Sequence, residues 1–309
     1  LRQLFLHGLF ILSVVVVVAR GLHGGIERIA KIAMPALFVI LVFLVLYNLV
    51  QADFGAAVRF LFTPDFSRLG TDAILMALGQ ALFSLAIGVG VMITYSAYLP
   101  EQFSLPTSAA VICCGDTMVA LLAGLAIFPI VFQYGLSPGE GAGLIFVTLP
   151  VAFGQMPGGI IIGTLFFLLL FLAAYTTGIG MVEPVVAWLE EHRGAHRPTM
   201  TVACGVVAWI GGIVSVLSFS LLADFHPLGS LALMKGKTFF DVIDFVVANF
   251  MLPVNALLIA LFAGWCLDRA AVGEEIGTSS GPWFLYWQFA VRFLVPLAMI
   301  LIMLDLWFS

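Results

Sequence analysis

Eight apolar runs of roughly bilayer length decide what this chain can fold into. They cover residues 4–19, 34–50, 73–97, 107–133, 158–188, 200–222, 239–266 and 285–306. A helix of about 20 apolar residues crosses a hydrocarbon core about 30 Å thick. Backbone polar groups at that depth must be satisfied within the segment, which favours helices for runs without strand-like alternation. Composition agrees. The chain is 62% hydrophobic and 9% charged, whereas ordinary soluble domains carry about 25% charged residues. The expected fold is an all-α polytopic membrane protein, a single transmembrane domain over 1–309 embedded in a lipid bilayer.

Polar, glycine- and proline-rich connections separate the runs. Residues 20–31 are read as a loop, with Pro35 opening the next helix. Phe62 to Arg68 reads as a turn, and Tyr134 to Gly159 as a structured cap containing short helices. Six basic residues fall on one side of the alternating topology and five on the other, so charge bias sets no orientation. The net charge of −5 forms no basic patch, which argues against nucleic acid as a partner. Four cysteines without Cys-x-x-Cys or Cys/His spacing argue against a disulfide scaffold and a bound metal or redox cofactor. No Ser/His, His-Glu-x-x-His or paired-Asp constellation marks an enzyme.

One run is unlike the others. Residues 77–98 are apolar enough to span, yet carry Ser84, Gly88 and Gly90 near the middle. Two glycines so close weaken a helix. A break at membrane depth is tolerated only inside protein or against a polar cavity, where freed backbone groups can bind ions and small zwitterions. Ionisable residues inside spans are costly and therefore candidates for function. Asp116, in Cys113-Cys-Gly-Asp-Thr117, is either a cation or proton site or a helix-packing hydrogen-bond group. Thr176 and Thr177, beside Gly178, offer hydroxyl oxygens suited to a hard monovalent cation. Such hydroxyls also bond back to their own helix. Glu183, before Pro184, either joins a polar network or reaches the interface. Asp241 and Asp244 open a span, where an acid is favourable on electrostatic grounds alone.

The blocks Gly24-Gly-Ile-Glu-Arg-Ile-Ala-Lys-Ile-Ala-Met-Pro35, Thr63-Pro-Asp-Phe66, Gly79-Gln80 through Tyr98, Asp116-Thr117 through Pro129, Leu149 through Gly159 and Phe239-Phe-Asp-Val-Ile-Asp244 together resemble the bacterial branch of the neurotransmitter:sodium symporter family. The resemblance implies an inverted-repeat sodium symporter fold. It begins at the family's fourth helix and runs through its eleventh. Residues 1–50 then correspond to the last two helices of the first repeat, 73–266 to the second repeat, and 285–306 to an extra C-terminal helix. The first three helices, including the broken helix that faces residues 77–98, are missing from the match.

Residue by residue, the resemblance implies substrate contacts from Phe83, Ser84, Ala86, Val89, Thr177 and Met181. It implies sodium ligation by Ser84, Asp116, Thr176, Thr177 and the Ala173 carbonyl, with Gln80 beside the first ion and Glu183 in a polar network. Glu191 matches the inner-gate acid. The outer-gate acid aligns at Phe240, and the role is assigned to Asp241, with Asp244 as alternative. Many members have Asn where this chain has Asp116, and a hydroxyl where it has Ala120. The expectation is therefore sodium-coupled, chloride-independent symport of a neutral amino acid across the cell inner membrane by alternating access. The alternative is a truncated, non-transporting membrane protein with a binding or regulatory role.

Overall fold

The structure, a computed structural model, describes residues 2–100, 102–139, 143–231, 234–277 and 281–308. The regular elements among them are helical: α1 (Arg2–Ala19), α2 (Glu27–Gln51), α3 (Phe54–Phe62), α4 (Thr71–Ser84), α5 (Val91–Ala97), α6 (Leu105–Gln133), α7 (Leu149–Gln155), α8 (Gly159–Arg193), α9 (Arg197–Leu217), α10 (Phe239–Val246), α11 (Leu252–Leu261), α12 (Arg269–Ile276), α13 (Pro282–Phe289) and α14 (Val295–Phe308). Five-residue π-helical turns join several of them into longer rods. Among the described residues, seven stretches are long and apolar enough to cross a membrane. The eighth expected span is divided into α4 and α5 by a non-helical turn.

Prolines account for much of the irregularity. The π-turns Leu144–Thr148, Val247–Met251 and Ala290–Leu294 each end two residues before a proline: Pro150, Pro253 and Pro296. In each, the last N–H before the proline bonds five residues back: Leu149 to Leu144, Leu252 to Val247, and Val295 to Ala290. A proline ring clashes with the carbonyl four residues earlier and brings no N–H. A wider turn relieves the clash and keeps the rod continuous.

Two boundaries differ from the sequence reading. Residues 22–33 are helical rather than a loop, so Pro35 lies inside α2 and does not open it. The Glu27 carboxylate binds Lys31 at 2.6 Å and His23 at 2.8 Å, pairs with i,i+4 spacing that support the first turns. The span expected over 200–222 ends at Leu217, after which the chain turns repeatedly. The cap over 134–159 does contain a short apolar helical stretch, Leu144–Gln155.

The chain divides into two compact units, to which α6 and α8 each contribute residues. One comprises residues 20–66 and 112–179. Its core joins Leu41 and Leu44 of α2, Ile130 and Val131 of α6, Leu149 and Phe153 of α7, and Ile162 and Phe166 of α8. Pro129 inside α6 cannot bond the Leu125 carbonyl. The buried Asn48 amide of α2 donates there at 3.4 Å and to the Ala126 carbonyl at 2.7 Å.

The other unit comprises residues 1–19, 67–111 and 180–309. Here α1 lies against α9, with Val14, Val15, Val17 and Val18 buried. Glycines allow the approach. A Cβ on Gly205 would overlap the Val15 side chain, and one on Gly212 would overlap the His7 ring. Small residues at such crossings let membrane helices gain van der Waals contact where no hydrophobic drive exists. A second cluster joins Leu82 of α4, Leu252 and Ala256 of α11, and Met299 of α14.

Candidate functional site

The interruption expected near Gly88 and Gly90 is present, and it begins two residues earlier. Ala86, Gly88 and Gly90 have φ of 51°, 97° and 87°. The Ile87 N–H bonds the Leu82 carbonyl and the Ala86 N–H bonds the Phe83 carbonyl, both at 3.1 Å. This is a Schellman closure of α4, with alanine in the left-handed position that glycine usually fills. An L-residue there costs of order 1–2 kcal/mol, so the surrounding contacts must hold it. They come from α11. Gly88 is buried, a Cβ on it would lie 2.5 Å from the Leu252 carbonyl, and the Asn255 amide donates to the Gly88 carbonyl. Gln80, Phe83 and Ser84 occupy the exposed last turn of α4, while Ala86 and Val89 lie half-buried in the turn itself.

Further along the same unit, Glu183 of α8 is fully buried. Arg197, the first residue of α9, reaches it through Nη2 at 2.5 Å, and the Tyr98 hydroxyl donates to its other oxygen at 3.2 Å. Arg197 also donates through Nη1 to Glu190 at 3.0 Å and through Nε to the Val18 carbonyl of α1 at 3.1 Å. The guanidinium thus ties α9 to α8 and to the end of α1, and Tyr98, just beyond α5, reaches the same Glu183 carboxylate. Buried charges persist only when paired and hydrogen-bonded in this way. Glu183 is thus paired with Arg197 and with the Tyr98 hydroxyl. Arg197, counted from sequence as a loop charge, is the centre of these contacts. Its signal was legible: a buried acid requires a base, and Arg197 lies 14 residues on, across the short turn between α8 and α9.

Glu191 and Met181 are exposed on α8, and the neighbouring Glu190 makes the contact to Arg197. Asp241 is engaged locally. Its carboxylate accepts from the Thr238 N–H at 2.9 Å and hydroxyl at 2.8 Å, while the Thr238 hydroxyl receives the Asp241 N–H, a complete capping box. Asp244 is exposed one turn later.

The remaining sodium candidates belong to the other unit. The Thr176 hydroxyl lies 3.1 Å from the Ala173 carbonyl and 3.0 Å from that of Leu172, and donates back to its own helix. Thr177 is exposed and Asp116 half-buried on α6. Every candidate ligand is a hydroxyl, carboxylate or carbonyl oxygen. That donor set suits a hard cation and disfavours zinc or copper. Among the described residues no cluster of three His, Cys, Asp or Glu side chains stands at metal-binding distance.

A family profile described as "Sodium:neurotransmitter symporter family" matches residues 3–307. The sodium-dependent transporter YhdH of Bacillus subtilis (strain 168) is 42% identical over 304 residues, covering 96% of this chain and 65% of that protein. A sodium-dependent transporter of Haemophilus influenzae is 32% identical over 298 residues, covering 96% of this chain and 64% of its own length. The chain thus spans somewhat less than two thirds of these curated relatives. Among solved structures, the crystal structure of MhsT in complex with L-phenylalanine superposes with a TM-score of 0.86 at 36% identity, covering 98% of this chain and 68% of that one.

Proposed function

The chain belongs to the sodium:neurotransmitter symporter family, and on that premise we propose that it serves sodium-coupled symport of a neutral amino acid. The transport would cross a bacterial inner membrane by alternating access. The observation that carries this reading is the discontinuity between α4 and α5. It interrupts a bilayer-length apolar segment with three left-handed residues and is docked on α11 through Gly88 and Asn255. Irregular backbone at membrane depth belongs where a cavity or ligand uses it. The phenylalanine held by MhsT supports an aromatic or bulky apolar substrate here.

On the family pattern, Phe83, Ser84, Ala86, Val89, Thr177 and Met181 contact substrate. Ser84, Asp116, Ala173, Thr176 and Thr177 supply oxygens to sodium. Glu191 and either Asp241 or Asp244 act at the inner and outer gates. Residues 1–50 correspond to the end of the first repeat, 73–266 to the second, and 285–306 to an additional helix. In this reading the helix that faces α4 and α5 lies outside these 309 residues. Coupling then requires sodium and substrate to prefer the same conformational state, because a ligand shifts an equilibrium only by its differential affinity.

The test is sodium-dependent binding of an amino-acid panel to the protein expressed from its full reading frame, with and without chloride. Binding of phenylalanine or a similar residue that needs sodium and ignores chloride is expected. Asp116→Asn should make binding require chloride or abolish it. An Asp116→Asn protein that still works without chloride would remove Asp116 from the charge balance. Sodium-dependent binding without any uptake would favour the non-transporting alternative.

A further inference from the structure

Arg292 lies within the final apolar stretch, Pro282–Leu304, and the network around Glu183 does not use it. Its Nε donates to the Gly264 carbonyl at 2.5 Å, and its guanidinium carbon sits 5.2 Å from the centre of the Trp265 ring. Among the described residues no carboxylate lies within ion-pair distance of it.

The surroundings hold this arginine in place. The apolar stretch that carries Gly264 ends at Cys266, so the Gly264 carbonyl belongs to the last turn, where no later N–H returns to it. A Cβ on Gly264 would lie 3.0 Å from the Arg292 Cγ, so the glycine gives the arginine stem its path. Trp265 is braced edge-on by Phe293, with ring centres 5.7 Å apart. Both rings are more than half exposed.

Gly264, whose carbonyl holds the Arg292 Nε, is two residues from the end of its apolar stretch. The Arg292 backbone lies deeper, five to nine residues after Trp287, Tyr286 and Trp283, residue types that gather at headgroup level. An arginine so placed points its head back toward the polar region while its stem stays in apolar surroundings. With Nε committed to Gly264 and one face of the guanidinium on Trp265, both terminal amino groups remain as a two-pronged donor edge. That fork matches the geometry of phosphate oxygens.

We propose that Arg292, Gly264 and Trp265 form a binding site for a phosphate anion at the bilayer interface, separate from the substrate pathway. The chemistry shared by its candidate ligands is a phosphate oxygen pair. At this depth a phospholipid headgroup presents one, with its acyl chains along the exposed faces of Trp265 and Phe293.

The test uses the full-length protein in neutral detergent. Thermal stability is followed while phosphatidylglycerol, phosphatidylcholine or inorganic phosphate is added, each in parallel with Arg292→Met and Arg292→Lys variants. Saturable stabilisation of the parent by phosphatidylglycerol is expected. Half-saturation should rise about tenfold in Arg292→Lys, which keeps the charge and loses the fork and the Nε bond. It should be lost in Arg292→Met. If Arg292→Met does not fold, Arg292→Lys and Trp265→Leu carry the comparison, the latter weakening binding by removing the ring. Saturation by inorganic phosphate that depends equally on Arg292 would assign the site to a soluble anion instead of a lipid. A lipid response identical in parent and variants, or no saturable response to any phosphate, would overturn the proposal.

Discussion

Replacing Arg197 by methionine should destabilise the protein more than any other single change at the ends of α8 and α9. The substitution keeps an apolar stem and removes the guanidinium, leaving the fully buried Glu183 carboxylate with the Tyr98 hydroxyl alone. Removing one partner of a buried ion pair costs about 3–5 kcal/mol. The Arg197 side chain keeps 16% exposure, so some water reaches the pair and the lower end, about 3 kcal/mol, is the better figure. That corresponds to roughly a hundredfold fall in the folded-to-unfolded ratio. Most of the cost is a stranded charge, so neutralising the charge should recover it. Arg197→Met combined with Glu183→Gln should regain more than half of the loss. Glu183→Gln alone should cost less than Arg197→Met, because Arg197 keeps Glu190 and the Val18 carbonyl. Thermal unfolding in detergent of the parent, both single variants and the double variant closes a double-mutant cycle. An Arg197→Met protein as stable as its parent, or a double variant as unstable as Arg197→Met, would refute the reasoning.

Other expectations rest on single observations. Gly88→Ala places a methyl group 2.5 Å from the Leu252 carbonyl at a residue with φ of 97°, so sodium-dependent binding should collapse. Gly24→Ala, which meets nothing within 4 Å, should bind like the parent. Gly205→Ala should destabilise the α1–α9 contact by about 1–3 kcal/mol, and Val15→Ala should restore part of the loss in the same thermal assay, since the new methyl collides with Val15. Thr176→Val keeps shape and removes the hydroxyl. If that oxygen ligates sodium, the sodium concentration for half-maximal binding should rise about tenfold. An unchanged value would mean that the hydroxyl only bonds Leu172 and Ala173 within its own helix.

Hydrophobicity carries most of what was legible in the sequence, because lipid removes the alternatives to helix. The break between α4 and α5 could be read from Gly88 and Gly90. Its start could not, because Ala86 favours the right-handed helix and is held left-handed by the docking of the turn on α11. The loop assigned to residues 20–31 failed for a similar reason. Its glycines and charges resemble a connection, yet the Glu27 pairs with His23 and Lys31 support helix there. The prolines at 150, 253 and 296 explain three π-turns through the clash with the carbonyl four residues earlier, whereas Pro35, Pro129 and Pro184 sit inside α-helices, so proline alone does not announce a π-turn. Arg197 opens α9, where its sequence reads as part of the polar connection after α8. Side-chain reach across a turn has no periodic signature, and only the need to neutralise Glu183 points to it. For Asp241 the electrostatic preference of a helix start is visible in the capping box, and Asp244 is exposed one turn later.

The central claim is that sodium drives amino-acid transport through the interrupted helix. Its most direct measurement is uptake of radiolabelled L-phenylalanine into proteoliposomes containing the full-length protein, with an inward sodium gradient and no chloride. Accumulation above the external concentration is expected, with collapse when the sodium gradient is dissipated and loss in Gly88→Ala. Accumulation of the same size with potassium replacing sodium, or full activity in Gly88→Ala, would contradict the account.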